Sequence, residues 1–291
     1  MAIGTPIRNP LEWGWDQLKK AESAVEATGH ALEGAEVGRD AVPATVRHIR
    51  IDDLRDALAK GIDDFRASRT DVVFLCVVYP VAGLFLAYLA FGYDFLHLVF
   101  PLASGFALLG PIAAIGLYEM SRRREQGQEP SWADALGVVS SPAFGAILVL
   151  GLYLLAAFLL WLFAAVAIYQ ATLGPEPPAS IGAFALEIVT TGAGWTMIAI
   201  GVGVGFVFAV VVMTVSVVSF PMLLDRDVGL YPAIGTSIRA VLANPLPMAV
   251  WGAIVAGGLL LGTVTLFVGL AVVMPVLGHA TWHLYRKLVP H

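Results

Sequence analysis

The sequence is poor in the residues that build soluble and disulfide-bonded domains. A single cysteine, Cys76, excludes an internal disulfide framework. Charged residues make up 13% of the chain and apolar residues 58%, whereas globular domains average about 25% and about 45–50%. The formal net charge is −5, so no basic excess indicates nucleic acid as a partner. This composition indicates a protein whose main partner is the lipid bilayer.

Five long stretches contain no Asp, Glu, Lys or Arg, and the longest has 39 residues. A transmembrane helix needs about 20 apolar residues, so the longest stretch supplies two spans, joined near Gly262–Thr265. The sequence therefore predicts an all-α, polytopic membrane protein with six transmembrane helices, in one domain over 46–290. A partly helical or disordered arm over 1–45 precedes it. The spans are expected near 72–93, 97–118, 142–169, 193–220, 246–262 and 265–285.

One side of the predicted bundle has no cations. All 17 Lys and Arg residues fall in the segments that share a side with the two termini. Cytoplasmic loops carry the excess of Lys and Arg. We therefore expect a multi-pass membrane protein with both termini in the cytoplasm.

A weak repeat divides the six spans into three helix pairs. A short segment with an alanine followed by a larger apolar residue precedes each pair, at Ala57, Ala135 and Ala233. The first and third pairs also end alike, because Arg122 and Arg286 each follow a proline by eleven residues. We expect these two arginines at the membrane interface.

The segment Ile51–Ser68 is expected to form an amphipathic helix on the cytoplasmic side. Leu58 and Phe65 belong to its single apolar stripe, and Asp, Lys and Arg fill the rest of the surface. Such a helix lies in the membrane interface, or it packs against a partner or against the bundle itself.

Pairs of small residues one helical turn apart indicate close contacts between spans. Gly201 and Gly205 lie in the fourth predicted span, and Ala253 and Gly257 lie in the fifth. Small side chains let two backbones approach, so both pairs are predicted to pack against other helices.

The predicted spans contain no carboxylate, Lys or Arg, which argues against transport coupled to buried charges. No Ser–His pair is expected at membrane depth, so we assign no catalytic residue and expect no enzyme. His279 and His283 share a helix face and are candidate metal ligands. A third ligand is not expected nearby, so we predict no metal and no other cofactor.

Two stretches carry a family resemblance, namely Ser104–Glu125 and Met274–Lys287. They resemble a bacterial family of predicted integral membrane proteins classed as a domain of unknown function, over roughly 46–290. The resemblance implies a multi-span proteobacterial inner-membrane protein and brings no catalytic residues. Members are sometimes labelled cytochrome c oxidase subunit I. That label implies six membrane histidines, whereas this chain has six histidines in all.

Two functions fit these observations. The first is a non-enzymatic accessory, scaffold or assembly component that acts through a membrane-protein complex. The alternative is a permease or a lipid-handling protein that needs no charged coupling residue inside the membrane. A closely packed bundle favours the first, and a large enclosed cavity at mid-membrane favours the second.

Overall fold

A computed structural model describes most of the chain. The residues described are 44–67, 96–130, 137–174, 180–265 and 267–290, with the single residues 81, 88, 135, 176 and 178. Within these ranges the chain forms helices and turns and no strand, as expected for an all-α protein. The arm over 1–43 and the first predicted span lie outside the described residues, apart from positions 81 and 88.

The α-helices are numbered in chain order. They are α1 (Ile51–Ala67), α2 (Val99–Leu108), α3 (Gly110–Ala113), α4 (Ile115–Glu125), α5 (Phe144–Thr172), α6 (Ile181–Thr190), α7 (Gly192–Ser216), α8 (Ser219–Asp225), α9 (Leu230–Ala243), α10 (Pro245–Val264) and α11 (Leu270–Leu288).

Three of the described segments are long and apolar enough to cross a membrane. They are α5, the run Gly192–Asp225 that joins α7 to α8, and α10, with mean hydropathies of 2.6, 2.6 and 1.7. These segments lie in the predicted third, fourth and fifth spans. The count of six spans and their grouping into pairs stay predictions.

The second predicted span is a broken helix. It consists of α2, α3 and α4, which are interrupted at Leu109 and Ala114. Pro111 lies at the start of α3, where its missing N–H removes one bond from the helix ladder. Helical hydrogen bonding continues past this proline, because Ala114 donates its backbone N–H to Gly110 O at 2.9 Å.

A tight turn joins α10 to α11, and it lies directly after the turning point that was predicted near Gly262–Thr265. The turn includes Phe267, whose φ of 64° lies in the left-handed region. Thr265 Oγ1 accepts the Gly269 N–H at 3.0 Å. Gly262 leaves no room for a Cβ beside Leu270, so its lack of a side chain lets the two helices approach.

The helix α1 packs across α11. A Cβ at Gly61 would lie 2.7 Å from the backbone nitrogen of Ala280, so the two helices touch backbone to backbone. Leu54 and Ala57 are buried on the same face of α1, whereas Leu58 and Phe65 are only half-buried. The docking face therefore includes Leu54 of the predicted apolar stripe, but the rest of this face is rotated away from the stripe.

Candidate functional site

A cluster of buried polar side chains lies where α1, α4 and α11 meet. Asp64 of α1, Ser121 of α4 and His279 of α11 have only 7%, 1% and 1% of their surfaces exposed. The Ser121 hydroxyl lies 2.6 Å from Asp64 Oδ2 and 2.7 Å from His279 Nδ1. Arg124 donates to Asp64 Oδ1 at 2.7 Å, and His283 Nε2 lies 2.8 Å from Asp64 Oδ2. We call these five residues the polar hub.

The direction of each hydrogen bond in the polar hub follows from the charge of Asp64. Burial alone raises the pKa of this carboxyl, but the bonds from His283 and Ser121 together hold the pKa below its ordinary value. An ionised carboxylate only accepts, so Ser121 O–H donates to Asp64 and His279 Nδ1–H donates to Ser121. His283 then donates its Nε2–H to the same carboxylate.

This arrangement differs from that of a serine hydrolase. In a catalytic triad the histidine lies between the serine and the acid and accepts the hydroxyl proton. Here Ser121 lies between Asp64 and His279, and its proton points to the carboxylate. Sequence analysis did not find this Ser–His contact, because the two residues are 158 positions apart and meet only in the fold; the absence of such a pair at membrane depth stays a prediction. Ser121 and His279 nevertheless lack the serine–histidine–acid order that activates the serine of a catalytic triad.

The structure places the two candidate metal ligands, His279 and His283, in this hydrogen-bond network. Asp64 is the neighbouring carboxylate that sequence analysis did not find. No group of three His, Cys, Asp or Glu side chains in the described ranges is arranged to hold a metal ion. In the polar hub, the Ser121 hydroxyl lies between Asp64 and His279, whose Oδ2 and Nδ1 atoms are 4.0 Å apart.

The last turns of α11 bind acidic residues from two other helices beyond the polar hub. The Trp282 indole N–H donates to Glu125 at 3.1 Å, and the Tyr285 hydroxyl donates to Asp225 at 2.7 Å. Arg286 bridges the same two acids, at 3.1 Å from Glu125 and 3.2 Å from Asp225. The end of α11 therefore ties α4 and α8 together, and Arg286 is part of this tie.

Lys287 extends the same pattern to the first half of α1. Its ammonium lies 2.6 Å from Asp56 and 3.3 Å from Asp53. The hydrogen bond from Lys287 is the main reason that the pKa of Asp56 is lowered. For Asp53, the backbone N–H of Arg50 is the main cause of the lowered pKa.

Glu119 on α4 is a further buried acid, with 4% of its surface exposed. Both Arg122 and Arg123 bind its carboxylate at 2.8 Å. Arg122, which was expected at the interface, thus forms an ion pair within its own helix. Leu58 and Phe65, the other predicted interfacial residues, pack half-buried against the core.

The predicted helix-packing residues have different surroundings. A Cβ at Gly205 would lie 3.1 Å from the ring of Trp161, so this glycine faces α5. Around Gly201 and Gly257, no described atom lies within 4 Å of such a Cβ, and Ala253 is exposed. Contacts at these three positions stay predictions.

The comparisons with known proteins give one match. Residues 99–225 match a family described as "Predicted integral membrane protein (DUF2189)", which is less than half of the chain. No curated protein and no solved structure matches. The apolar helices and this match together define an integral membrane protein of unknown function. The match includes Ser104–Glu125 and ends before Met274–Lys287, although Glu125 and Ser121 of the first stretch bind Trp282 and His279 of the second.

Proposed function

We propose that the chain is a non-enzymatic accessory or scaffold component of a complex in the bacterial inner membrane, with six spans in three pairs and both termini cytoplasmic. The polar hub is the observation that carries this proposal. Its side chains bond to one another and hold α1, α4 and α11 together, except that His279 Nε2 is buried with no hydrogen-bond partner among the described residues. In a catalytic triad the serine donates to a histidine that the acid orients, whereas Ser121 donates directly to the Asp64 carboxylate, which is a weak base.

The firm attachment of α1 supports a role as a platform. Gly61 and Ala280 bring the two backbones into contact, and Lys287 pairs with Asp53 and Asp56 nearby. Packing and ion pairs act at several points along the helix, so α1 keeps a fixed position relative to α11. Its opposite face is then presented to the solvent in a defined orientation.

That opposite face carries charges that are available to a partner. Arg55 pairs with Asp52 at 3.4 Å, and Arg66 pairs with Asp63 at 3.6 Å. The exposed fractions of these side chains lie between 65% and 80%. Exposed ion pairs of this kind contribute about 0–1 kcal/mol to stability. Each of these side chains can therefore leave its present partner and pair with a charge on another protein at little cost. The partner that fits is a protein surface of mixed charge.

Photo-crosslinking tests this proposal in intact cells. A photoreactive amino acid at Arg55, on the exposed face of α1, should give a discrete protein adduct. The same group at Leu260, an exposed apolar residue of α10, is the control and should give lipid adducts. Lipid adducts alone at both positions, with the chain fully expressed, would contradict a scaffold that acts through α1.

One observation favours the alternative of a permease or lipid-handling protein. The second predicted span is interrupted at Leu109 and Ala114, and discontinuous helices line the binding sites of many transporters. Cysteine at Leu109, in a Cys76→Ser background, separates the two functions. A permease requires that small thiol reagents reach this cysteine from alternate sides, whereas a packed scaffold keeps it unreactive from both.

A further inference from the structure

Three arginines in the described part of the chain form no ion pair, and they lie close together. They are Arg47, Arg50 and Arg239, which we call the basic corner. The other described Lys and Arg side chains lie within 4.0 Å of a carboxylate. Unpaired cations at one place leave a local positive charge, although the net charge of the chain is −5.

The basic corner is built by the segment 44–50, which has no regular secondary structure and contacts the junction of α9 and α10. Asn244 at this junction accepts the Ile49 N–H at 2.8 Å and donates to Arg47 O at 3.1 Å. Arg239 on α9 reaches Ala44 O at 3.4 Å. These bonds use backbone groups and a neutral amide, so no carboxylate of the described residues pairs directly with the three guanidinium groups, although the charge of Arg47 helps to lower the pKa of Asp53.

Next to these cations, two large apolar residues of α9 and one of α10 are exposed, whereas Leu230, Ile234 and Val241 of α9 pack partly buried against the core. The fully buried residues of α9 have small or hydroxyl side chains, namely Ala233, Thr236, Ser237 and Ala240. Tyr231 and Leu242 on α9 and Leu246 on α10 are 63%, 72% and 65% exposed. A helix in water has the reverse pattern, whereas a helix in the membrane interface turns its apolar residues to the acyl chains.

We propose that the basic corner binds the phosphate groups of anionic phospholipids, while Leu242 and Leu246 lie at the acyl boundary beside them. Charge complementarity selects this occupant, because residues 228–285 contain no Asp or Glu to compete with a phosphate. Arg239 is the one Lys or Arg in that stretch. The nearest described acids along the chain are Asp52, which pairs with Arg55, and Asp53, which is bound to Lys287 and to the backbone of Arg50.

Lipid titration of the purified full-length protein tests the proposal. Short-chain phosphatidylglycerol is added to the protein in neutral detergent, and the rise in melting temperature gives an apparent Kd. Each cation near an anionic surface contributes about fivefold in affinity, so Arg47→Gln/Arg50→Gln/Arg239→Gln should weaken binding about 100-fold. The matched control Arg55→Gln/Lys60→Gln/Arg66→Gln removes three paired cations and should change the Kd less than about threefold.

Three outcomes would overturn the proposal. They are an equal loss in the control, unchanged binding in the triple variant, and the same stabilisation by inorganic phosphate alone. If the triple variant fails to fold, Arg47→Gln/Arg50→Gln keeps the Arg239 bonds and should weaken binding about 25-fold. A spin label at Leu242→Cys, in a Cys76→Ser background, should be accessible to oxygen and shielded from a soluble nickel chelate. A label at Arg55→Cys should show the reverse, and an aqueous signal at Leu242 would count against the acyl boundary.

Discussion

Two regions of the described structure differ in what covers their side chains. Where α1, α4, α8 and α11 meet, Phe220, Trp282 and Tyr285 are fully buried and the acids between them are hydrogen-bonded. Along α7, by contrast, large side chains such as Val202 and Phe206 are 56% and 68% exposed. Lipid covers apolar side chains as well as protein does, so α7 needs few protein contacts. Buried polar groups have no such substitute and must find partners within the chain.

The largest effect should come from separating α1 from α11. Gly61→Leu would place a side chain against the backbone of Ala280, where a Cβ alone lies at 2.7 Å. The helix α1 has to move away, which also breaks the polar hub, so we expect a loss of about 3 kcal/mol or more. Thermal unfolding in detergent measures it. Ala59→Leu on the exposed face of the same helix is the control, and equal melting temperatures for the two variants would contradict the backbone contact.

The next largest effect should come from the charge of Asp64. Asp64→Asn keeps the shape but leaves Arg124 without its carboxylate, and one amide group would face donors from Ser121 and His283. We expect a loss of about 2–3 kcal/mol, because part of the Arg124 side chain reaches solvent. Chemical denaturation measures the difference, with Asp63→Asn, its exposed neighbour, as the control.

The difference in stability between the wild type and Asp64→Asn should also depend on pH. The pKa of Asp64 in the folded protein lies below its ordinary value of 3.8, so its contribution is fully present above about pH 4. It is lost as the pH falls through the lowered pKa, where the folded carboxyl takes up its proton. The gap between wild type and Asp64→Asn should therefore close in acid. A gap that stays constant down to pH 2 would show that Asp64 does not act through its charge.

These two regions were not equally predictable from the sequence. Runs without charge mark α5, α7 and α10 because lipid selects for apolar residues along the whole helix. The polar hub joins positions far apart in the chain, such as Asp64 and His283, and no local pattern indicates that pairing. One signal was present, since Leu54, Ala57, Gly61 and Asp64 recur at helical spacing. An aspartate on the same face as a glycine indicates a polar contact at a close helix crossing.

A smaller effect should distinguish two glycines on α7. Gly205→Leu would push into Trp161, a buried side chain whose indole is also fixed by Pro101 O at 2.9 Å. Overpacking of this kind costs about 1–3 kcal/mol. Gly201→Leu meets open space among the described residues and should cost less than about 0.5 kcal/mol. Equal losses in thermal stability would show that both glycines contact a helix, as the sequence pattern predicts.

The smallest effect is expected at Phe206, in the middle of α7. Truncation of a buried phenylalanine costs about 3–5 kcal/mol because it removes contacts and leaves a cavity. Phe206 is 68% exposed, so a lipid chain fills the space and Phe206→Ala should cost less than about 0.5 kcal/mol. Phe220→Ala, at a fully buried position of the same membrane segment, provides the matched large effect. Both variants should be compared by thermal unfolding in lipid nanodiscs. A loss at Phe206 as large as that at Phe220 would show that protein, rather than lipid, covers this face of α7.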